Sequence, residues 1–114
     1  MSLKKLPALF FATPAGNEPV RIWLKKLDDE SRKVIGDDIA TTEFGWPLGM
    51  PICKDLGKGL HEVRSNITSG RIARVIFSPI DEEMVLLHGF VKKTQKMPKP
   101  DLDLALKRLK EYKS

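Results

Sequence analysis

The chain has 114 residues, of which 41% are hydrophobic and 31% charged, and its formal net charge is +5 at pH 7. This length suits one hydrophobic core, and this composition excludes a disordered or fibrous chain. No apolar run approaches the roughly 20 residues that cross a bilayer, and the N-terminus lacks the pattern of a signal peptide. The single cysteine, Cys53, excludes an internal disulfide. We therefore predict one cytoplasmic domain over residues 1–114.

The first half of the chain predicts a strand followed by two helices. The strand covers Leu6–Phe11, a short apolar and aromatic run that ends at a cluster of turn residues. A first helix begins at Pro19, since proline is tolerated in a first helical turn, and apolar residues follow at helical spacing. A second helix runs from its cap, Asp28 or Asp29, to about Phe44.

The pattern changes in the second half. The segment from Trp46 to Gly59 is rich in glycine and proline and predicts a loop. Two consecutive hairpins are then predicted from three runs of β-branched and aromatic residues, Leu60–Ile67, Arg71–Ser78 and Met84–Val91. A last helix covers Asp101–Tyr112. The predicted fold is α+β, with the N-terminal strand and helical hairpin packed on one face of a twisted, mostly antiparallel sheet, a C-terminal helix, and the other face open to water.

The excess positive charge lies entirely in the second half. Residues 1–53 carry 7 Lys/Arg and 7 Asp/Glu, whereas residues 54–114 carry 13 and 8. The stretch from Lys92 to Lys99 has lysines and no acidic residue. Such a field attracts a polyanion. The alternative is a solvated, lysine-rich loop.

Charged residues also occur inside the predicted strands. Alternation along the first strand of the two hairpins places Glu62 and Arg64 on one face. Arg74 lies in a largely apolar strand, where a charge needs a function or a partner. Glu62 and Arg64 belong either to a functional site or to ordinary ion pairs with cross-strand neighbours such as Arg71 or Arg74.

The last predicted strand is apolar on both sides until it ends in lysines. Strict alternation places Leu86 on one face with His88, Phe90 and Lys92, and Leu87 on the opposite face.

The histidines and tryptophans favour packing roles. His61 and His88 could each transfer a proton, but a histidine between apolar neighbours is more often a hydrogen-bonded packing residue. Trp23 and Trp46 are better explained as core and loop anchors than as platforms for nucleic-acid bases. No spacing typical of metal ligands occurs, so we predict neither a metal nor another cofactor.

Three blocks carry a family resemblance: Lys54–Arg64, Arg71–Phe77 and Leu86–Pro98. The third is the most distinctive, because a leucine-rich strand ends in glycine-phenylalanine, then two lysines and a threonine, with a proline further on. From about Pro19 to Lys110 the chain resembles the phage-derived, HigB-like branch of the RelE/ParE superfamily of bacterial toxin–antitoxin toxins.

This resemblance implies a RelE/ParE-like fold and the toxin of a type II toxin–antitoxin system, a metal-independent endoribonuclease that cuts translated messenger RNA. With the charge pattern above, the expected catalytic residues are Glu62, Arg64, Lys92 and Lys93, and the expected nucleic-acid-binding residues are Lys54, Lys58, Arg74, Lys96 and Lys99. The general base and acid stay unassigned, because the tyrosine that some ribonuclease relatives carry after the last strand is absent and the single tyrosine is Tyr112.

The resemblance also implies partners: a cognate antitoxin with a helix-turn-helix domain, messenger RNA on the ribosome, operator DNA bound only through the antitoxin, and no membrane. Two other functions stay open. One is a non-enzymatic toxin of the same superfamily that inhibits a protein target such as gyrase, which the missing tyrosine favours. The other is a phage accessory protein that binds nucleic acid, which the basic second half favours.

Overall fold

One mixed sheet organises the chain. The computed structural model describes residues 3–92 and 96–114, which form five strands and three α-helices. In chain order these elements are β1 (Ala8–Phe10), α1 (Pro19–Lys25), α2 (Asp29–Gly45), β2 (Cys53–Gly57), β3 (Leu60–Asn66), β4 (Ile72–Ile80), β5 (Glu83–Lys92) and α3 (Lys99–Lys113). The strand order is β1-β5-β4-β3-β2, with β1 parallel to β5 and the other neighbours antiparallel. The predicted α+β fold is confirmed.

The two helices of the first half begin as their sequence predicts. Pro19 is the first residue of α1, and Asp28 is the cap of α2, accepting a hydrogen bond from the Ser31 backbone N–H at 3.0 Å. The apolar residues Ile35 and Ile39 of α2 are buried. No helix in the described ranges is both long and apolar enough to cross a membrane.

The edge strand β2 was not predicted, because its residues fall in the segment expected to be a loop. Lysine, aspartate and glycine have low strand propensity. The strand forms nevertheless, since Cys53 is buried opposite Val63 and the backbone pairs with β3. Gly57 has a φ of 81° and Lys58 a φ of 56°, and these left-handed conformations make the tight turn into β3.

Apolar clusters cover both faces of the sheet. On one face, the helical hairpin packs its buried isoleucines on Val75 and Phe77. On the other face, α3 buries Ala105 and Leu109 against Ile76. The expectation that this second face is open to water is therefore wrong where α3 lies. The leucines of α3, spaced along one side of the helix, need an apolar surface to cover them.

A β-bulge in β5 changes which side chains share a face. Ile76 pairs with His88 and Phe77 pairs with Leu86, so Leu87 is an extra residue. Leu86 packs in the core under the helical hairpin, whereas Leu87 and Phe90 pack in the core under α3. The strict alternation that grouped Leu86 with His88, Phe90 and Lys92 is thus wrong, because one inserted residue reverses the faces beyond it.

The tryptophans anchor elements, as predicted. Trp23 of α1 lies directly on Gly89, where any side chain would overlap the indole ring. Trp46 makes edge contacts with His61 and Phe77, at ring centroid distances of 5.0 and 5.5 Å. A glycine is therefore required in β5 for α1 to pack closely on the sheet.

Candidate nucleic-acid interface

Predicted site residues from four strands share one face of the sheet. Lys54 of β2 is directly opposite Glu62 of β3, and Arg64 of β3 is directly opposite Arg74 of β4. Lys92 of β5 is opposite Ile72, which lies two positions before Arg74 on the same face. Residues directly opposite in antiparallel strands project to the same side. We call Lys54, Glu62, Arg64, Arg74 and Lys92 the basic face; it adjoins the apolar surface that α3 covers.

The separation across the basic face suits a phosphate ligand. Neighbouring strands lie about 4.8 Å apart and alternate residues about 6.7 Å apart along a strand, so the Cα atoms of Arg64 and Lys92 are roughly 12 Å apart. Their long side chains can therefore reach the same phosphate or two neighbouring ones.

Other predicted residues lie away from this group. Lys58 is in the β2–β3 turn, beyond Leu60, which itself lies about 13 Å along β3 from Arg64. Lys96 is exposed ahead of α3, and the Lys99 Nζ atom lies 2.9 Å from the Asp103 carboxylate in the first turns of that helix. Lys93 lies outside the described residues.

Glu62 and Arg74 are charged groups in the sheet interior, with 1% and 0% of their surface exposed. Burial raises the pKa of Glu62 above its ordinary value, and the positive charges of Arg74, Arg64 and Lys54 oppose that rise. The Glu62 Oε1 atom lies 3.8 Å from the Arg64 Nε atom. Within residues 3–92 and 96–114, the buried Oε2 atom has no hydrogen-bond partner. The buried carboxylate is balanced mainly by the neighbouring arginines.

The observed contacts show which of the predicted ion pairs form. Glu62 does pair with Arg64 and interacts with Arg74, whereas Arg71 is directed elsewhere: its guanidinium donates to Thr68 and lies 3.8 Å from Asp28. The ion pair is therefore real. It holds the partly exposed Arg64 at the surface of the basic face.

Arg64 borders an open cleft of about 210 Å³, lined also by Pro51, Asn66 and Ile72. Its side chain is 14% exposed, and its Nη1 atom lies 3.9 Å from the sulfur of Met50. Arg64 is consequently placed to donate hydrogen bonds to an external anion while Glu62 holds it from behind.

Neither histidine is a free acid or base on the basic face. His61 stacks on Phe77 on the side of the helical hairpin. His88 has its Nε2 atom 2.6 Å from an Asp101 oxygen and its Nδ1 atom 3.4 Å from Arg108 Nη1. Since arginine only donates, Nδ1 accepts and the Nε2–H donates to Asp101. Both histidines are packing residues, as predicted, and His88 ties β5 to α3.

Sequence reasoning missed the cleft and assigned no role to Asn66. Alternation does place Asn66 on the face of Arg64, but its neighbour Pro51 belongs to a loop whose path depends on β2. In the described part of the chain, no three His, Cys, Asp or Glu side chains are grouped as metal ligands would be.

The fold and this site define a class: a small α+β domain with arginines and lysines gathered on one sheet face. Comparison with family models assigns the family, because residues 22–110 match the model described as phage derived protein Gp49-like (DUF891). The match spans most of the chain, which therefore belongs to the Gp49-like family, part of the RelE/ParE-like toxin superfamily. A search of curated proteins found no match. The predicted superfamily is confirmed.

Proposed function

We propose that the chain is the toxin of a type II toxin–antitoxin system, of the HigB-like kind, and that it cuts translated messenger RNA in the cytoplasm without a metal ion. The main support is that Glu62, Arg64, Arg74 and Lys92, which are scattered in sequence, meet on one face of the sheet. Family membership is compatible with a toxin.

RNA provides the chemistry that such a face can promote. The 2′-hydroxyl of a ribose loses its proton as its oxygen attacks the adjacent phosphorus, the bond from phosphorus to the 5′-oxygen breaks, and that oxygen gains a proton. The products are a cyclic phosphate and a 5′-hydroxyl, and the groups that take up and supply the proton are unassigned. The enzyme must hold the phosphate in line and stabilise the added negative charge. Arginine and lysine side chains supply both functions.

The roles follow from exposure and position. Arg64 donates to the oxygens of the scissile phosphate, and Lys92 binds a flanking phosphate. Lys93, which follows Lys92 in sequence, is proposed to bind a flanking phosphate as well. Glu62 lies too deeply beneath Arg64 to touch RNA, so its proposed role is to position that guanidinium. Arg74, also buried, balances the charge of Glu62.

The remaining lysines contribute a longer-range field. Lys54 is on the basic face itself, while Lys58, Lys96 and Lys99 lie away from it and are proposed to contact the RNA backbone further from the cut.

The proposed partner is an antitoxin with a helix-turn-helix domain, through which operator DNA is bound. A segment of that protein with acidic residues would complement the basic face and keep RNA away from Arg64. The messenger RNA is proposed to be bound on the ribosome.

Mapping of new 5′ ends across the transcriptome after induction in a bacterial host tests the proposal. We expect discrete cuts inside translated messages with the wild type, none with Arg64→Ala, and unchanged cuts with Arg21→Ala, an exposed arginine of α1 paired with Glu18. Growth arrest without cuts would instead favour a protein target such as gyrase. Salt-sensitive binding with neither cuts nor arrest would favour an accessory nucleic-acid-binding protein.

A further inference from the structure

An exposed methionine lies against the arginine that the proposed function places on the scissile phosphate. The Met50 sulfur is 3.9 Å from the Arg64 Nη1 atom, and 58% of the Met50 surface is exposed. The Nε atom of the same guanidinium lies 3.8 Å from the Glu62 Oε1 atom. The guanidinium of Arg64 therefore contacts both a buried carboxylate and an accessible thioether sulfur.

Hydrogen bonds of the backbone keep Met50 beside Arg64. The Gly49 carbonyl accepts from the Cys53 N–H at 3.1 Å, and the Ile52 carbonyl accepts from the Arg64 N–H at 2.8 Å. Met50 lies between these two carbonyls in the sequence, so the backbone on both sides of it is held close to β3. The contact between the sulfur and the guanidinium consequently belongs to a defined turn.

The remaining sulfur atoms in the described part of the chain are less accessible than that of Met50. Met84 has 0% of its surface exposed, and Met97 is half-buried against the apolar core under α3. Cys53 is buried, and burial raises the pKa of its thiol, so the thiolate that oxidants attack is disfavoured. Within residues 3–92 and 96–114, Met50 is therefore the sulfur that an oxidant in solution reaches most easily.

We propose that Met50 is an oxidation site whose sulfoxide withdraws Arg64 from its anionic ligand; the inference rests on the proposed function for the identity of that ligand. With hydrogen peroxide, an electron pair of the sulfur forms a bond to one oxygen and the O–O bond breaks. The second oxygen takes the proton of the first and leaves as water. The sulfur is oxidised by two electrons and the peroxide is reduced by two, which gives methionine sulfoxide.

The sulfoxide changes the hydrogen bonding of Arg64. A thioether sulfur is a weak acceptor, so in the reduced protein the Nη1–H groups are available to a phosphate. A sulfoxide oxygen is a polar acceptor, bonded to an atom that already lies 3.9 Å from Nη1. It can therefore reach the N–H···O distance of about 2.9 Å and compete with a phosphate oxygen for the same donor.

The expected effect is a weaker affinity for RNA rather than its loss. Lys54 and Lys92 stay on the basic face after oxidation, and Arg64 keeps its remaining donors. Replacement of one hydrogen bond to the phosphate by one to the sulfoxide should raise the Kd about fivefold.

Fluorescence anisotropy on short 2′-O-methyl RNAs, which lack the free 2′-hydroxyl needed for cleavage, measures this effect on the whole chain. The protein is treated with dilute hydrogen peroxide, and peptide mass spectrometry follows the oxidation of Met50. We expect the Kd of the wild type to rise about fivefold and methionine sulfoxide reductases to restore it. Met50→Leu should show no response to peroxide, whereas the matched control Met97→Leu should respond as the wild type does.

The NMR signal of the Arg64 Nε–H group gives a second measurement, without RNA. Oxidation should shift this signal in the wild type and leave it in place in Met50→Leu. A loss of affinity that persists in Met50→Leu would overturn the inference, because another residue would then be responsible.

The variant Arg64→Ala separates this inference from the proposed function. If RNA binding depends on Arg64, an affinity that is unchanged after complete oxidation of Met50 overturns the inference and leaves the ribonuclease proposal intact. If Arg64→Ala binds RNA as tightly as the wild type, the proposed function fails. The Arg64 signal then decides the inference, which a shift on oxidation supports and an unchanged signal overturns.

Discussion

The two faces of the sheet differ in what they bury, although the same strands build both. Under the helical hairpin, β3 and β4 present Val63, Val75 and Phe77 to an apolar core. On the opposite face, the intervening positions of the same strands include Glu62 and Arg74, two buried charges. Burying charges costs desolvation energy, so apolar packing under the helical hairpin must offset the unfavourable free energy of the buried charges on the opposite face. Substitutions on the two faces should therefore separate folding from function.

The largest effect is expected on the apolar face. Phe77 is fully buried and contacts the rings of Trp46 and His61. Phe77→Ala should lower the free energy of unfolding by about 3–5 kcal/mol, because burial is reduced and a cavity is created. Urea denaturation should show a lower midpoint with an unchanged slope. A loss below about 1 kcal/mol would mean that this face collapses around the cavity, and the contrast between the faces would disappear.

Arg74 tests the stability of the charged face. Arg74→Met retains an unbranched aliphatic stem but removes the positive charge that stabilises the Glu62 carboxylate most strongly. We expect a loss of about 3 kcal/mol, because one partner of a buried pair is left behind. The exposed control Arg21→Ala should lose less than about 1 kcal/mol.

A second substitution shows whether charge is the cause of that loss. Combining Arg74→Met with Glu62→Gln should recover part of the stability, since no uncompensated carboxylate remains. Denaturation of the single and double variants measures this coupling. Equal losses in both variants would show that packing around Arg74, rather than its charge, determines the effect.

Glu62 should make stability depend on pH with a definite sign. Its pKa in the folded protein is raised above the ordinary value of 4.5, so the folded state binds the proton more tightly than the unfolded state. This contribution to stability is present below pH 4.5 and is lost as pH rises through the folded pKa. Relative to Glu62→Gln, the wild type should lose stability over that window by at most about 1.4 kcal/mol per pH unit.

Thermal melting of the two proteins across this pH range is the measurement. Parallel curves would mean that Arg74 and Arg64 fully offset the burial of Glu62. A wild type that gains stability as pH rises would mean that the arginines dominate and that the carboxylate is charged throughout.

Strong periodic patterns predicted most of the fold, whereas the strand β2 and the bulge in β5, which have no strong pattern, were missed. The α2 helix and the strands after Leu60 follow from apolar spacing alone. The β2 strand does not, because its residues have low strand propensity and its formation depends on the free edge of β3. The bulge at Leu87 was also not predictable, because β5 is apolar on both sides and has no polar–apolar alternation that would reveal a reversal of faces.

For the candidate site, too, the sequence predicted only the relations that follow from regular alternation within a strand. Alternation within one strand correctly placed Glu62 and Arg64 together. The face of Lys92 could not be derived, because it depends on the bulge at Leu87, and the cleft beside Asn66 depends on how a loop packs against β3. Relations within the regular strand β3 were predictable from the sequence, whereas the bulge in β5 and the relations between strands required the register.

The smallest expected effect is a change in the salt dependence of RNA binding, which should be larger for a lysine of the basic face than for one outside it. Lys92 lies at the end of β5 beside the cleft, whereas Lys58 lies in the β2–β3 turn. Removing a lysine that binds a phosphate should reduce the slope of log affinity against log salt by about one and weaken binding equally for all sequences. We expect this with Lys92→Ala and a smaller change with Lys58→Ala, measured by fluorescence anisotropy at several salt concentrations on short 2′-O-methyl RNAs, which cannot be cut because they lack a free 2′-hydroxyl. Equal changes would mean that the RNA follows the whole length of β3, past the turn, and that binding extends well beyond the basic face.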